Sequence, residues 1–127
     1  MNTRIRTQLG LVTLLLIVAA MLVTMSPAAA QTAEEGVANF YSDKFEGKKT
    51  ASGEVYDGKG LTAAHKKLPY GTKVKVTNIE NGKSVVVTVN DRMAATSPTV
   101  IDVTKRAAEE LGFAKSGKAK VKVEVQK

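Results

Sequence analysis

The sequence predicts a mainly β domain: a small closed or nearly closed barrel of about six short strands with one helix, preceded by a signal peptide. Three observations carry this expectation. Valines alternate with other residues on both sides of an Asn-Gly pair between Lys73 and Val89. The stretch Lys-Val-Lys-Val-Glu-Val at residues 120–125 repeats with the period of two that marks a half-exposed strand. Beyond residue 30, only Thr104 to Gly112 combines helical spacing with a cap at each end.

At the N-terminus, Arg4 and Arg6 are the only charges before Glu34, and a largely apolar run follows from Leu9 to Val23. Ser26 and Pro27 then break helical spacing, and Ala28, Ala29 and Ala30 offer the small residues a signal peptidase needs. This three-part pattern predicts a secretory signal over residues 1–30, cleaved after about Ala30. The alternative is an uncleaved anchor helix, for which roughly 20 apolar residues are required. With no cysteine in the chain, a lipid-modified cysteine and disulfides are both excluded. The expectation is therefore a periplasmic or secreted protein, not a lipoprotein, with no stable membrane anchor after cleavage. Residues 31–127 then number 97 and form one domain, within 36–126, carrying 17 basic and 12 acidic side chains for a net charge of +5. An exported basic domain is not expected to meet nucleic acid. Wall polymers and lipid headgroups are the polyanions it would encounter, and nothing in the pattern signals an oligomer, so a monomer is expected.

Gln31 to Glu35 is polar and reads as frayed. Val37 to Tyr41 reads as a first strand, and Ser42 to Gly60 as a long surface loop with a short extended piece at Val55-Tyr56. A loop of that length in so small a domain suggests function. Next come two antiparallel strands joined at Glu80-Asn81-Gly82-Lys83, where Asn-Gly supplies the positive φ of a tight turn. The run Val85 to Val89 is apolar enough to be covered on both faces. An irregular stretch to Thr99 leads to a strand at Val100 to Val103. A helix capped by Thr104 and ended by Gly112 follows, with Ala107, Ala108 and Leu111 as its apolar stripe.

Chemistry has few carriers. A zinc site would need the lone His65 plus carboxylates, an uncommon set, so neither metal nor cofactor is expected. No serine sits in a nucleophile elbow, and the glycines are spaced for turns rather than for a phosphate cradle. Carboxylates remain. Asp91 ends a strand between Asn90 and Arg92, Glu54 lies in the long loop, and His65 follows Leu-Thr-Ala-Ala. Glycoside cleavage needs little more than carboxyls of separated proton affinity. Spacing alone leaves plainer alternatives open: Asp91 paired with or capping Arg92, Glu54 as an exposed loop acid, and His65 as a satisfied, partly buried histidine.

Several segments taken together resemble the rare lipoprotein A (RlpA) family. They are Gly36-Val-Ala-Asn-Phe-Tyr41, Lys49-Thr-Ala-Ser-Gly-Glu-Val-Tyr-Asp57, Leu61-Thr-Ala-Ala-His-Lys-Lys-Leu-Pro-Tyr-Gly-Thr72, Val87-Thr-Val-Asn-Asp-Arg92 and Ile101-Asp-Val-Thr104. The resemblance implies a six-stranded double-psi β-barrel and an endolytic peptidoglycan transglycosylase. In such an enzyme an acid protonates the glycosidic oxygen and the sugar's own hydroxyl closes an anhydro ring. Carried over by position, it implies Asp91 as general acid/base, Glu54 as its acidic partner and His65 as a substrate-binding or carboxylate-orienting group. Thr50, Ser52, Asn90, Arg92 and Tyr41 would contact the glycan. This sequence departs from the family in Met93-Ala94, where Gly-Pro is usual, and in Asn39-Phe40, where Ser-Trp is usual. The alternatives are a non-catalytic, expansin-like module that binds wall polysaccharide and an inverting hydrolase.

Overall fold

The computed structural model describes residues 33–127, so the leader expected over residues 1–30 lies outside the described residues. The strands are β1 (Ala33–Phe40), β2 (Thr62–His65), β3 (Lys73–Asn78), β4 (Ser84–Arg92), β5 (Ile101–Val103) and β6 (Ala119–Val125), with helix α1 (Lys105–Leu111) between the last two. They close into a barrel in the order β1-β5-β2-β4-β3-β6. The β1/β5 and β2/β4 pairs are parallel and the other four antiparallel.

Alternation builds the core. Val74 and Val76 point inward, alternating with the exposed Lys73 and Lys75, and they meet Val87, Val89, Ile101, Val103, Val121 and Val123 from the other strands. The α1 stripe of Ala107, Ala108 and Leu111 packs on this cluster, together with Phe113. The Thr104 hydroxyl accepts from Ala107 N at 3.3 Å, and Gly112 ends the helix at φ +82°.

Three expectations need correction. Val85 to Val89 is not covered on both faces: Val87 and Val89 are buried, whereas Val86 is 45% exposed. A barrel wall has a single inner face, and valine suits its outer positions through β propensity alone. The strand read as starting at Val37 begins at Ala33, because Ala33–Ala38 pairs antiparallel with Ala119–Glu124 of β6. The Asn-Gly turn is longer than a two-residue hairpin, spanning Ile79–Lys83 with positive φ at Gly82 alone. Asn81 instead donates its side-chain amide to the Leu111 carbonyl at 2.9 Å, as Asn78 also does. Both close the C-terminal end of α1.

Two features position the site. Thr62, Ala63 and Ala64 pair with Thr88, Val89 and Asp91, so Asn90 is an extra residue in β4. Such a bulge re-aims the side chain that follows it. The loop after β1 folds back through Tyr56, which is buried and stacked on Tyr41 at 4.5 Å, and through the Lys49–Val55 bridge. A tight turn, with Gly53 at φ +93°, sets its tip against the end of β4.

Candidate active site

Asn39, Asp102, Ala64 and Asp91 are successive register partners across β1, β5, β2 and β4. Alternation places Asn39 and Asp102 opposite the inward Ala38, Ile101 and Val103, on the outer face of the barrel. The short side chain of Ala64 leaves a trough between two aspartates whose main chains stand two strand spacings apart, about 10 Å. These four residues line a cleft of about 350 Å³ to which Tyr41 and Arg92 also contribute. A larger hollow of about 560 Å³ lies beside α1, lined by neither Asp91 nor Asp102. Glu46 accepts from Gly58 N at 3.0 Å and Lys105 reaches Asp43 at 3.7 Å.

Asp91 is held on both oxygens. Tyr41 Oη donates to Oδ2 at 2.6 Å, while Oδ1 accepts from Ala51 N at 2.8 Å and from Arg92 N at 2.9 Å. Burial, and then the bond to Asp91, push the Tyr41 hydroxyl far above its ordinary range, so it remains a donor throughout the physiological range. No ion pair joins Asp91 to Arg92. The guanidinium donates instead to the His65 and Leu68 carbonyls at 3.0 and 2.7 Å, and it lies 4.8 Å from the centre of the Tyr70 ring. Arg92 thus pins the segment between β2 and β3.

A family model described as lytic transglycolase matches residues 33–123. The chain belongs to this RlpA-like family. A relative named endolytic peptidoglycan transglycosylase RlpA, from Pseudomonas aeruginosa, is 55% identical over 89 residues, covering 70% of this chain and 26% of the relative. One of the same name from Neisseria meningitidis is 50% identical over 95 residues, covering 75% and 40%. The chain thus spans less than half the length of either relative. Among solved structures, a Clavibacter michiganensis expansin in complex with cellohexaose superposes with a TM-score of 0.60 at 17% identity, over 75% of this chain and 50% of the expansin. A Streptomyces papain inhibitor gives 0.60 at 21%, over 75% and 94%. The RlpA-like fold here is the six-stranded double-psi β-barrel.

Within this RlpA-like barrel the three residues singled out for catalysis occupy different settings. Asp91 lines the cleft; Glu54 and His65 do not. His65 is 3% exposed, and its Nδ1 accepts from the backbone N–H groups of Lys67 and Leu68, both at 3.2 Å. The hydrogen therefore sits on Nε2, which donates to Glu34 Oε1 at 3.0 Å. His65 orients a carboxylate, but it is that of Glu34 on β1. Glu54 is exposed on the loop tip. Its backbone carbonyl accepts from Thr50 Oγ1 at 2.9 Å, and its carboxylate stands 3.5 Å from Ser52 Oγ. Thr50 and Ser52 share a hydroxyl contact at 3.0 Å. Asn90 is buried, and its carbonyl accepts from Ser52 N at 3.3 Å, tying the tip to the bulge.

Two cleft residues escaped the sequence. Asp102 looks there like the polar member of an alternating strand, Ile-Asp-Val. Its carboxyl accepts from Thr99 Oγ1 at 3.3 Å. Burial raises it above the ordinary aspartate range, the Thr99 hydroxyl pulls the other way, and the charge of Asp91 adds to the rise. Asn39 Oδ1 is buried with no donor. Such an orphan acceptor costs about 1–3 kcal/mol, a kind of cost that accumulates at functional sites. Among the described residues, no group of three His, Cys, Asp or Glu side chains gathers as a metal ion would require.

Proposed function

We propose that this barrel is exported and cuts peptidoglycan glycan strands as an endolytic transglycosylase, with Asp91 as the acid/base group at the scissile bond. The observation that carries the proposal is the fixation of Asp91 on the floor of an open cleft by the Tyr41 hydroxyl and the Ala51 and Arg92 amides. A carboxyl so held needs no reorganisation when charge develops in the transition state. The Pseudomonas and Neisseria relatives carry this activity in their names and are 55% and 50% identical to this chain over 89 and 95 residues. The basic, apolar and small-residue pattern of residues 1–30 supports export.

The other residues fall into place around that step. Phe45, 40% exposed and edge-on to Tyr41 at 5.9 Å, offers a ring face at the cleft for a sugar. Phe40, at the position where the family usually has tryptophan, packs edge-on to Phe113 at 6.0 Å. Thr50, Ser52 and Glu54 carry hydroxyl and carboxylate groups on the loop tip, which the Ser52 amide ties to the Asn90 carbonyl. His65 and Arg92 act as positioning residues. The Met93 amide donates to the His65 carbonyl at 3.3 Å, so the chain after Asp91 is tied down without the usual Gly-Pro.

The test is to incubate the full chain with purified glycan strands lacking stem peptides and to weigh the products. Anhydro-ended fragments are expected, and Asp91→Asn should abolish them. Reducing ends would mean a hydrolase. Binding with no cleavage would mean a wall-polysaccharide-binding module and would overturn the enzyme proposal.

A further inference from the structure

Among the described residues two aromatic side chains are exposed, Phe45 at 40% and Tyr70 at 46%. Phe45 lies on the β1 side of the cleft, edge-on to the Tyr41 ring whose hydroxyl holds Asp91. Tyr70 comes from the β3 side. Past the Lys73–Thr88 pair, the β3–β4 ladder runs on through two backbone bonds of 2.8 Å: Val89 N donates to the Thr72 carbonyl, and Gly71 N to the Val89 carbonyl. The chain at Tyr70 therefore runs alongside the end of β4 that carries Asp91. In the strand order β1-β5-β2-β4-β3, it extends the row of Asn39, Asp102, Ala64 and Asp91 on the side away from Phe45. Four strand spacings separate β1 from β3 along that row, about 19 Å.

The Tyr70 ring is fixed before any ligand arrives. The Arg92 guanidinium lies over it, 4.8 Å from its centre, and is itself anchored to the same segment by its bonds to the His65 and Leu68 carbonyls. Arg92 also lines the cleft, so it links the ring to the site. A tight turn below the ring closes from Thr72 N to the Pro69 carbonyl at 3.2 Å, with Gly71 at φ +93°. With a cation against one face, the opposite face and the rim are what the ring offers to solvent. A single exposed aromatic is ordinary. Two held rings on opposite sides of one carboxylate suit a chain of pyranoses, whose apolar C–H faces lie flat on aromatic rings.

We propose that Tyr70, clamped by Arg92, is a sugar-stacking subsite on the far side of Asp91 from Phe45, so that a glycan strand is gripped on both flanks of the bond being cut. This rests on the glycan-cleaving function proposed above and adds what holds the second flank. A strand gripped on both flanks is cut internally. Because the ring is already ordered, little conformational freedom is lost when a sugar settles on it. The contact is the same in the bound strand and in the transition state, so it acts on KM and leaves kcat unchanged.

The experiment measures kcat and KM of the full chain on peptide-free glycan strands for wild type, Tyr70→Leu and Tyr70→Phe. Tyr70→Leu keeps an apolar side chain beside Arg92 and removes the ring; it should raise KM about tenfold with kcat unchanged. Tyr70→Phe keeps the ring and should match wild type. A second measurement uses no variant at position 70: Asp91→Asn is titrated with the same strands while the ring proton signals of Tyr70 and Phe45 are followed. Both rings should shift together. A Tyr70→Leu KM within about threefold of wild type, a loss carried by kcat instead, or a Tyr70 ring that stays put while Phe45 shifts would overturn the proposal. Shifts of both rings in a chain whose wild type yields no anhydro ends would sink the transglycosylase function and leave the subsite standing. Strands that are neither bound nor cut would sink both.

Discussion

At the scale of single residues the cleft is governed by what each carboxyl is given to hold. Tyr41 stacks on Tyr56 and meets the Phe45 ring edge-on, so Tyr41→Phe keeps the aromatic packing and removes only the 2.6 Å bond to Asp91. A hydrogen bond to a charged acceptor contributes about 1.5–3 kcal/mol. We expect a lower thermal midpoint and a turnover loss of about tenfold or more, read from melting curves and from the yield of anhydro ends. Asp102 should behave in the opposite sense. Its carboxyl titrates above its ordinary value in the fold, so the folded state binds more protons than the unfolded chain as pH rises beyond about 3.8. Stability is then lost, not gained, as pH climbs through that window. Asp102→Asn should therefore raise the melting midpoint at neutral pH and bring no such gain near pH 3.

Among elements, the sequence was most legible where the pattern is local. The span of α1, its Thr104 cap and its buried Ala107, Ala108 and Leu111 follow from spacing, as do β3 and β6. Strand β2 was not legible: Thr-Ala-Ala-His has no alternation, and it becomes a strand by lying between β4 and β5, whose partner residues are 26 or more positions away. The polar start of β1, which looks frayed in the sequence, is ordered for the same reason, since Glu34 and Glu35 are held by pairing with distant β6. Asp91 could be singled out because a motif surrounds it, whereas Asp102 and Asn39 acquire meaning only from register across three strands. The link between the β3–β4 turn and α1 gives a direct test. A Cβ on Gly112 would stand 2.8 Å from Asn81 Nδ2, the group that caps Leu111, whereas a Cβ on Gly47 would meet open space. Both positions have positive φ, so each alanine pays about 1 kcal/mol in backbone strain. Gly112→Ala should cost about 1 kcal/mol more than Gly47→Ala in chemical denaturation, through the displaced cap.

The whole barrel depends on closure between β1 and β6. A chain starting at Val37 would lack Ala33–Gly36, whose partners are Val121–Glu124, and would leave His65 without Glu34. An edge would open along β6, and a buried imidazole would lose its acceptor. We expect such a truncation to lose cooperative unfolding in thermal melts, with hydrogen exchange at β6 rising towards that of an unprotected chain. The double-psi closure itself was implied by resemblance rather than by pattern, because two of its pairings are parallel contacts between strands that are not neighbours in sequence.

The clasp on Asp91 has a corollary for sequence tolerance. Ala51 engages Asp91 through its backbone amide, and its own side chain is exposed. Nineteen of the twenty amino acids can supply that N–H, and proline alone cannot. A library randomised at position 51 and screened for glycan cleavage should therefore be permissive, with proline as the conspicuous dead variant.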